Sequence, residues 1–151
     1  MTVRRPPVPF RALAADRSGS ALVESALVIP VLILLVAGVV MVGRIAQAQV
    51  AVQSVAREAG RTAALAPSAA QGLADAQARS LTVAAGHGLA LDRLDVAIDT
   101  GTFARGGTVR ASASYAVELG DLPLLGAVSV TVSSTHQQRI DIYRSRTAAA
   151  P

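Results

Sequence analysis

The chain contains no cysteine and no tryptophan, and aromatic residues make up only 3% of its 151 residues. Without cysteine there is no disulfide framework, no thiolate metal site and no thiol nucleophile. Any part that works outside the cytoplasm is therefore held by packing and by neighbours. Lysine is absent as well, so all 14 basic residues are arginine, a bias that points to no particular function. Few aromatics also means few stacking platforms for single-stranded nucleic acid. The formal charge of +4 is not a groove-binding signal either, because Arg4, Arg5, Arg11 and Arg17 gather ahead of an apolar run while the later arginines are interspersed with Asp and Glu. Nucleic acid is not an expected partner.

Signatures of chemistry are equally scarce. The two histidines, His87 and His136, have no companion His or Cys at metal-ligand spacing, and each reads as a loop or surface residue. Asp92, Asp95 and Asp99 lack the ligand order and glycine of a calcium loop. Neither a G-x-S-x-G elbow nor a P-loop occurs, and the glycines at Gly101, Gly106 and Gly107 sit in no strand-to-helix context that would cradle phosphate. The sequence thus predicts no catalytic residue, no metal, no cofactor and no enzyme.

What is abundant is small and medium apolar side chain: 52% of the chain is hydrophobic, and with so few aromatics this is mostly Ala, Val and Leu. From Ser25 to Gly43 the chain runs 19 residues without a charge, about 28 Å of helix at about 1.5 Å per residue, close to a hydrocarbon core. A buried helix apolar on every face needs a large surrounding core, and a chain of this size cannot supply one beside it. The stretch reads as a membrane span. The arginines ahead of it, against a lone Arg44 after it, predict a cytoplasmic N-terminus and an extracytoplasmic C-terminal part. Pro30 lies inside the run, where it cannot donate to the carbonyl of Ala26, and predicts a kink. Glu24 stands at the entrance of the run. The plain reading places it in the first turn, favoured by the helix dipole and headgroup water; unpaired in lipid, it is costly.

Gly19-Ser20-Ala21-Leu22-Val23-Glu24, followed directly by the apolar run, resembles the processing site of type IV prepilins, in which a peptidase cuts after Gly and leaves Glu fifth in the mature chain. With Pro30 six residues after Glu24, and Arg57-Glu58-Ala59-Gly60-Arg61 after the span, the segment looks like the TadE-like pseudopilins of tight-adherence pilus systems. The resemblance covers residues 18 to 63. It departs from many prepilins at Ser25, where an aromatic is common. It implies cleavage between Gly19 and Ser20 by a prepilin peptidase, and pairing of the new Ser20 ammonium with Glu24 of a neighbouring subunit, which fixes register.

Beyond the span, Ile45, Ala48, Val52, Val55, Ala59 and Ala63 form one helical stripe, with Gln47, Ser54, Arg57, Glu58 and Arg61 opposite and Val50 as an exception. The first helix is expected to reach Leu65, with Pro67 and Ser68 interrupting it. A second is expected over Ala69–Ala85, stopped by Gly86-His87-Gly88. The period then changes to two. Leu94, Val96 and Ile98 mark one strand, and Val109 through Val117 a second, joined across Thr100–Gly107. Val128, Val130 and Val132 open a third that is expected to continue through Ile140 and Ile142. The expected fold is α+β and pilin-like: a long N-terminal transmembrane helix continuing outside the membrane, a second helix, and a small antiparallel three-stranded sheet whose apolar face covers the second helix or the outer half of the first. The expected division is a basic cytoplasmic leader at 1–19, a transmembrane and extended helix at 20–66, and an extracytoplasmic helix-and-sheet domain at 67–151. The loop containing Leu122, Pro123, Leu124 and Leu125 is expected either to touch a partner or membrane or to be buried under the sheet, and the tail from Arg144 to fray.

The functional expectation is a membrane-anchored minor pseudopilin or assembly subunit of a tight-adherence pilus or related secretion system. Its expected partners are membrane lipid, other pilins or pseudopilins, pilus-assembly membrane proteins and a prepilin peptidase. One rival is a domain released by signal peptidase after Ala48, since Ala46-Gln47-Ala48 forms an A-x-A site; the length of the apolar run and Arg44 beside that site count against it. The other is a single-pass anchor for a binding module, for which no pocket constellation is visible.

Overall fold

The computed structural model describes residues 17–120 and 128–143, with side chains from Leu22 onward. The leader up to Asp16, the Leu122–Leu125 loop and the tail from Arg144 lie outside the described residues. The chain divides into two units, Met1–Val39 and Val40–Pro151.

Helix α1 runs from Arg17 to Leu65, and its helical assignment continues through Pro30. Because α1 starts at Arg17, no acidic residue occupies its first turn, which corrects the plain reading of Glu24: it sits at the end of the second turn, where the dipole of the helix start has already faded. Residues Leu22–Val36 of the first unit are all exposed. Pro67 ends α1, since the residue before a proline is driven out of helical geometry. Ser68 then takes an extended conformation as the N-cap of α2, Ala69–Gly86, its Oγ accepting from the N–H of Gln71 at 3.3 Å.

The stop of α2 is more specific than the three-residue signal suggests. Gly86 remains helical and Gly88 takes the left-handed conformation, φ +72°. The N–H of Leu89 then reaches Ala84 O, and that of Gly88 reaches Ala85 O, both at 3.0 Å. Leu89 also packs on the cluster that holds Ala84, completing a Schellman motif with its apolar contact.

A short 3₁₀ turn, Leu91–Arg93, leads into β1, Leu94–Asp99; β2 is Thr108–Glu118 and β3 is Ser129–Arg139. The sheet is antiparallel in the order β1-β2-β3, with Asp99 beside Arg110 and Tyr115 beside Val132. One face is apolar. Leu94, Val96, Ile98 and the odd-numbered residues Val109–Val117 turn inward, and Asp95 and Asp99 outward. Strand β3 is shorter than expected: Ile140, just past its end, is buried, while Ile142 is half-exposed in a turn.

The inner face covers both helices. Ala48, Val52, Val55 and Ala56 of α1 and Ala84 of α2 pack with Ala113, Tyr115, Val117, Leu119 and Val132. A second cluster joins Ala59, Ala63 and Ala64 of α1, Ala76 of α2, Phe103, Val109, Ala111 and Ile140. Few aromatics suffice because the helices are made thin where they meet. Gly72, Ala76, Ser80 and Ala84, spaced four apart, are the buried face of α2. A Cβ on Gly72 would fall 2.9 Å from the carbonyl oxygen of Ala63, a distance that only glycine tolerates. The hydroxyl of Ser80, the buried polar side chain of this face, donates to Ala76 O at 2.7 Å.

Candidate functional site

The feature with most capacity to act on something outside the chain is the exposed part of α1. Leu22 is 72% exposed and Leu27 69%, and Val31 to Val36 are open to solvent in the same way. Nearly all of this surface is aliphatic, and a run of this length open on every side is a helix long and apolar enough to cross a membrane.

Four expected functional residues lie on this helix. The Gly19–Ser20 bond falls within its first turn, Glu24 follows on the next, and Pro30 lies within the apolar run. The Glu24 side chain is exposed, and among the described residues none pairs with it. The described residues thus provide a carboxylate at the edge of an apolar helix and no counter-charge for it.

The Arg57–Arg61 segment is resolved residue by residue. Glu58 meets Arg79 of α2 at 3.4 Å. Ala59 is fully buried between helix and sheet. Gly60 faces the sheet so closely that a Cβ there would lie 3.2 Å from Cδ2 of His136 and 3.7 Å from Cβ of Ala111. Arg57 and Arg61 stay exposed. One five-residue segment therefore docks both α2 and the sheet and leaves its two arginines outside. His136 corrects the expectation of a surface histidine: the regular alternation of β3 turns it inward, half-buried. His87 is exposed at the C-terminal end of α2.

Among the described residues no group of three or more His, Cys, Asp or Glu converges as a metal site. A cleft of about 220 Å³ is lined by residues including Arg44, His87, Arg93, Tyr115 and Glu118. Its Arg93 is engaged, meeting Glu118 at 3.1 Å and lying 5.7 Å over the Tyr115 ring. That arrangement closes the end of the sheet by charge and stacking and holds no nucleophile next to a base.

Phe103 is the residue the sequence pattern conceals. It lies in the β1–β2 loop at positive φ, 45°, yet only 7% of it is exposed, because it plugs the second core cluster. The loop's glycines drew attention to a turn; the one large apolar side chain among them was the available signal.

The family of TadE-like proteins has a model that matches residues 19–61. The resemblance read from the Gly19–Glu24 and Arg57–Arg61 segments therefore holds. The match begins at Gly19 and ends at Arg61, spanning the exposed apolar part of α1 and the segment that docks the domain. The TadE-like family is structural and pilus-related, and the match ties this chain to pilus assembly in general terms. No curated protein and no solved structure matches the chain.

Proposed function

We propose that this protein is a membrane-anchored minor pseudopilin, or an assembly subunit, of a tight-adherence pilus or related secretion system. One observation carries the reading: the TadE-like match coincides with a helix whose aliphatic surface is exposed and whose Glu24 has no partner among the described residues. In this reading residues 1–19 are a cytoplasmic basic leader, residues 25–43 cross the membrane, and the part from 67 onward lies outside. Its partners are lipid, other pilin-like subunits and the assembly proteins that gather them.

The mechanism follows from the cost of a lone carboxylate in lipid, roughly 2.5–3.5 kcal/mol at a helix centre by insertion scales and less toward the interface. A prepilin peptidase opens the first turn of α1 and hydrolyses the Gly19–Ser20 bond, leaving an ammonium on Ser20. That ammonium lies at the new helix start, one turn before Glu24, where it can meet Glu24 of a neighbour as apolar helices bundle. Each pair neutralises two charges in low dielectric and fixes the stagger between subunits. Pro30 leaves the carbonyl of Ala26 without its helical donor and loosens the helix where neighbours pack.

Release after Ala48 is disfavoured, because Ala48 is 5% exposed within the first core cluster and cleavage there would cut through a buried turn of α1. N-terminal sequencing of protein recovered from the membrane fraction and from the culture fluid tests the reading. The expected start is Ser20 in the membrane fraction. A start at Gln49 in the fluid would make this a secreted domain, and an intact N-terminus would remove the Ser20–Glu24 pairing.

A further inference from the structure

The sheet ends in β3 on one side and in β1 on the other. Natural edge strands are blunted by charge, proline, bulges or brevity. From Ser129 to Gln138 β3 has no Asp, Glu, Lys, Arg or proline, and its register with β2 is unbroken to Arg139. The phase of its hydrogen bonds is fixed at both ends: Leu119 N–H donates to Val128 O at 3.0 Å, and Ile140 N–H to Gly107 O at 2.8 Å. Even-numbered residues of β3 therefore bond to β2, and odd-numbered ones turn their N–H and C=O to the open edge. Among the described residues one of these outward groups is engaged by a side chain: Ser133 O accepts from Nε2 of Gln49. By the same alternation Leu94, Val96 and Ile98 of β1 turn their backbone groups to the opposite edge. Beside that edge lies an open crevice of about 250 Å³ lined by Gln77, Ser80, Leu81, Leu94 and Val96.

We infer that copies of this domain join edge to edge, β3 of one chain hydrogen-bonding as a parallel strand to β1 of the next. The inference rests on the proposed reading in which co-oriented α1 helices associate side by side. Strand β3 runs along the outer turns of α1 in the same direction: Gln49 meets Ser133, Gly60 faces His136 and Gln138, and Arg61 and Leu65 share a cleft with Gln138 and Asp141. Co-oriented helices thus present co-oriented β3 strands, which rules out an antiparallel β3–β3 pair. A two-fold axis along the strands fares no better, because it sets N–H against N–H at each level.

Strands β1 and β3 are both antiparallel to β2 and so parallel to each other. At each level of the sheet one turns its backbone groups outward where the other turns them inward, which is the alternation a parallel ladder needs. Charge agrees with this choice. A β1–β1 contact sets Asp95 and Asp99 against their like, whereas along β3 they meet Ser, Thr and Gln and, at the end, Arg139. With no stagger, Leu94 of the added strand lies level with Val132 and Asp95 with Ser133. The apolar face is then continuous and the crevice beside Leu81 is covered. Such a contact is head-to-tail, so each added copy leaves a free edge for the next.

The absence of native cysteine makes the test direct. In the full-length chain, in cell membranes, Asp95→Cys is combined in turn with Thr131→Cys, Ser133→Cys and Thr135→Cys, and disulfides are formed by mild oxidation. The expected result is a ladder of multimers from one of these double variants and dimers when the two corresponding single variants are mixed, with each single variant alone remaining monomeric. Leu32→Cys, Ile33→Cys, Leu34→Cys and Leu35→Cys report separately on helix association. Crosslinks in the helix without any from Asp95→Cys would overturn edge pairing and leave assembly standing, while loss of both would overturn the reading beneath it. Self-dimers of Ser133→Cys alone, or its crosslinking only to a different protein, would likewise overturn the β3–β1 contact.

Discussion

Nε2 of Gln49 on α1 donates to the backbone carbonyl of Ser133 on β3 at 3.1 Å, so a helix side chain stands in for the missing neighbour of an edge strand. The bond is exposed, which places its worth toward the lower part of the usual net range of about 0.5–1.5 kcal/mol. Gln49→Ala is expected to lower the unfolding free energy of the detergent-solubilised chain by that small amount, read as a lower urea midpoint with no change in slope. Gln49→Glu, which sets a carboxylate against a carbonyl, should cost more.

The two close-approach glycines make a graded pair. At Gly72 an added Cβ meets backbone, Ala63 O at 2.9 Å, which cannot move without shifting α1; at Gly60 it meets the His136 ring at 3.2 Å. Gly72→Ala is expected to destabilise by roughly 1–3 kcal/mol, as overpacking does, and Gly60→Ala by less, because a side chain can yield. Gly86→Ala, with nothing within 4 Å, is the control, expected to be neutral or to stabilise by up to about 1 kcal/mol through helix propensity. Thermal melts of the three variants rank them.

Phe103 couples a strained backbone to a filled core. Phe103→Ala should cost about 3–5 kcal/mol through lost burial and the cavity left behind. Phe103→Gly relieves the positive φ but removes the same ring, so it should melt close to the Ala variant. A Gly variant that matched the wild type would mean that the ring contributes little.

Local signals made most of this fold readable. Proline, serine and glycine at Pro67, Ser68 and Gly88 set the helix ends, and the change of period after Leu89 marked the strands. Only part of what escaped depends on tertiary register. The inward turn of His136 was implied by the even-numbered apolar phase from Val128 to Ile140 but was lost by reading the histidine apart from its strand, whereas the burial of Phe103 follows from where a loop happens to end. The breadth of the α1 interface was also under-read. Ala51, Ala56 and Ala64 are buried as well, because the helix is covered on two sides, by α2 and by the sheet, and a single-stripe pattern anticipates only one. Glu24 shows the limit from the other side: its position was legible, while no group among the described residues answers it.

That missing group gives the sharpest test of assembly. Glu24 is exposed and has no partner among the described residues, so Glu24→Ala should leave the urea midpoint of the folded domain unchanged. If the Ser20 ammonium of a neighbour is its counter-charge, the same substitution should reduce helix-to-helix crosslinking through Leu32–Leu35 cysteines about tenfold, which corresponds to about 1.4 kcal/mol. Glu24→Gln, keeping a hydrogen-bond acceptor without the charge, should fall between. The decisive comparison adds Gly19→Leu, which blocks cleavage after Gly19 and leaves no ammonium on Ser20. In that background, provided crosslinking stays measurable, Glu24→Ala should have little further effect, the non-additivity expected of a direct Ser20–Glu24 pairing. Full additivity of the two substitutions would sink the pairing, even if both weakened assembly.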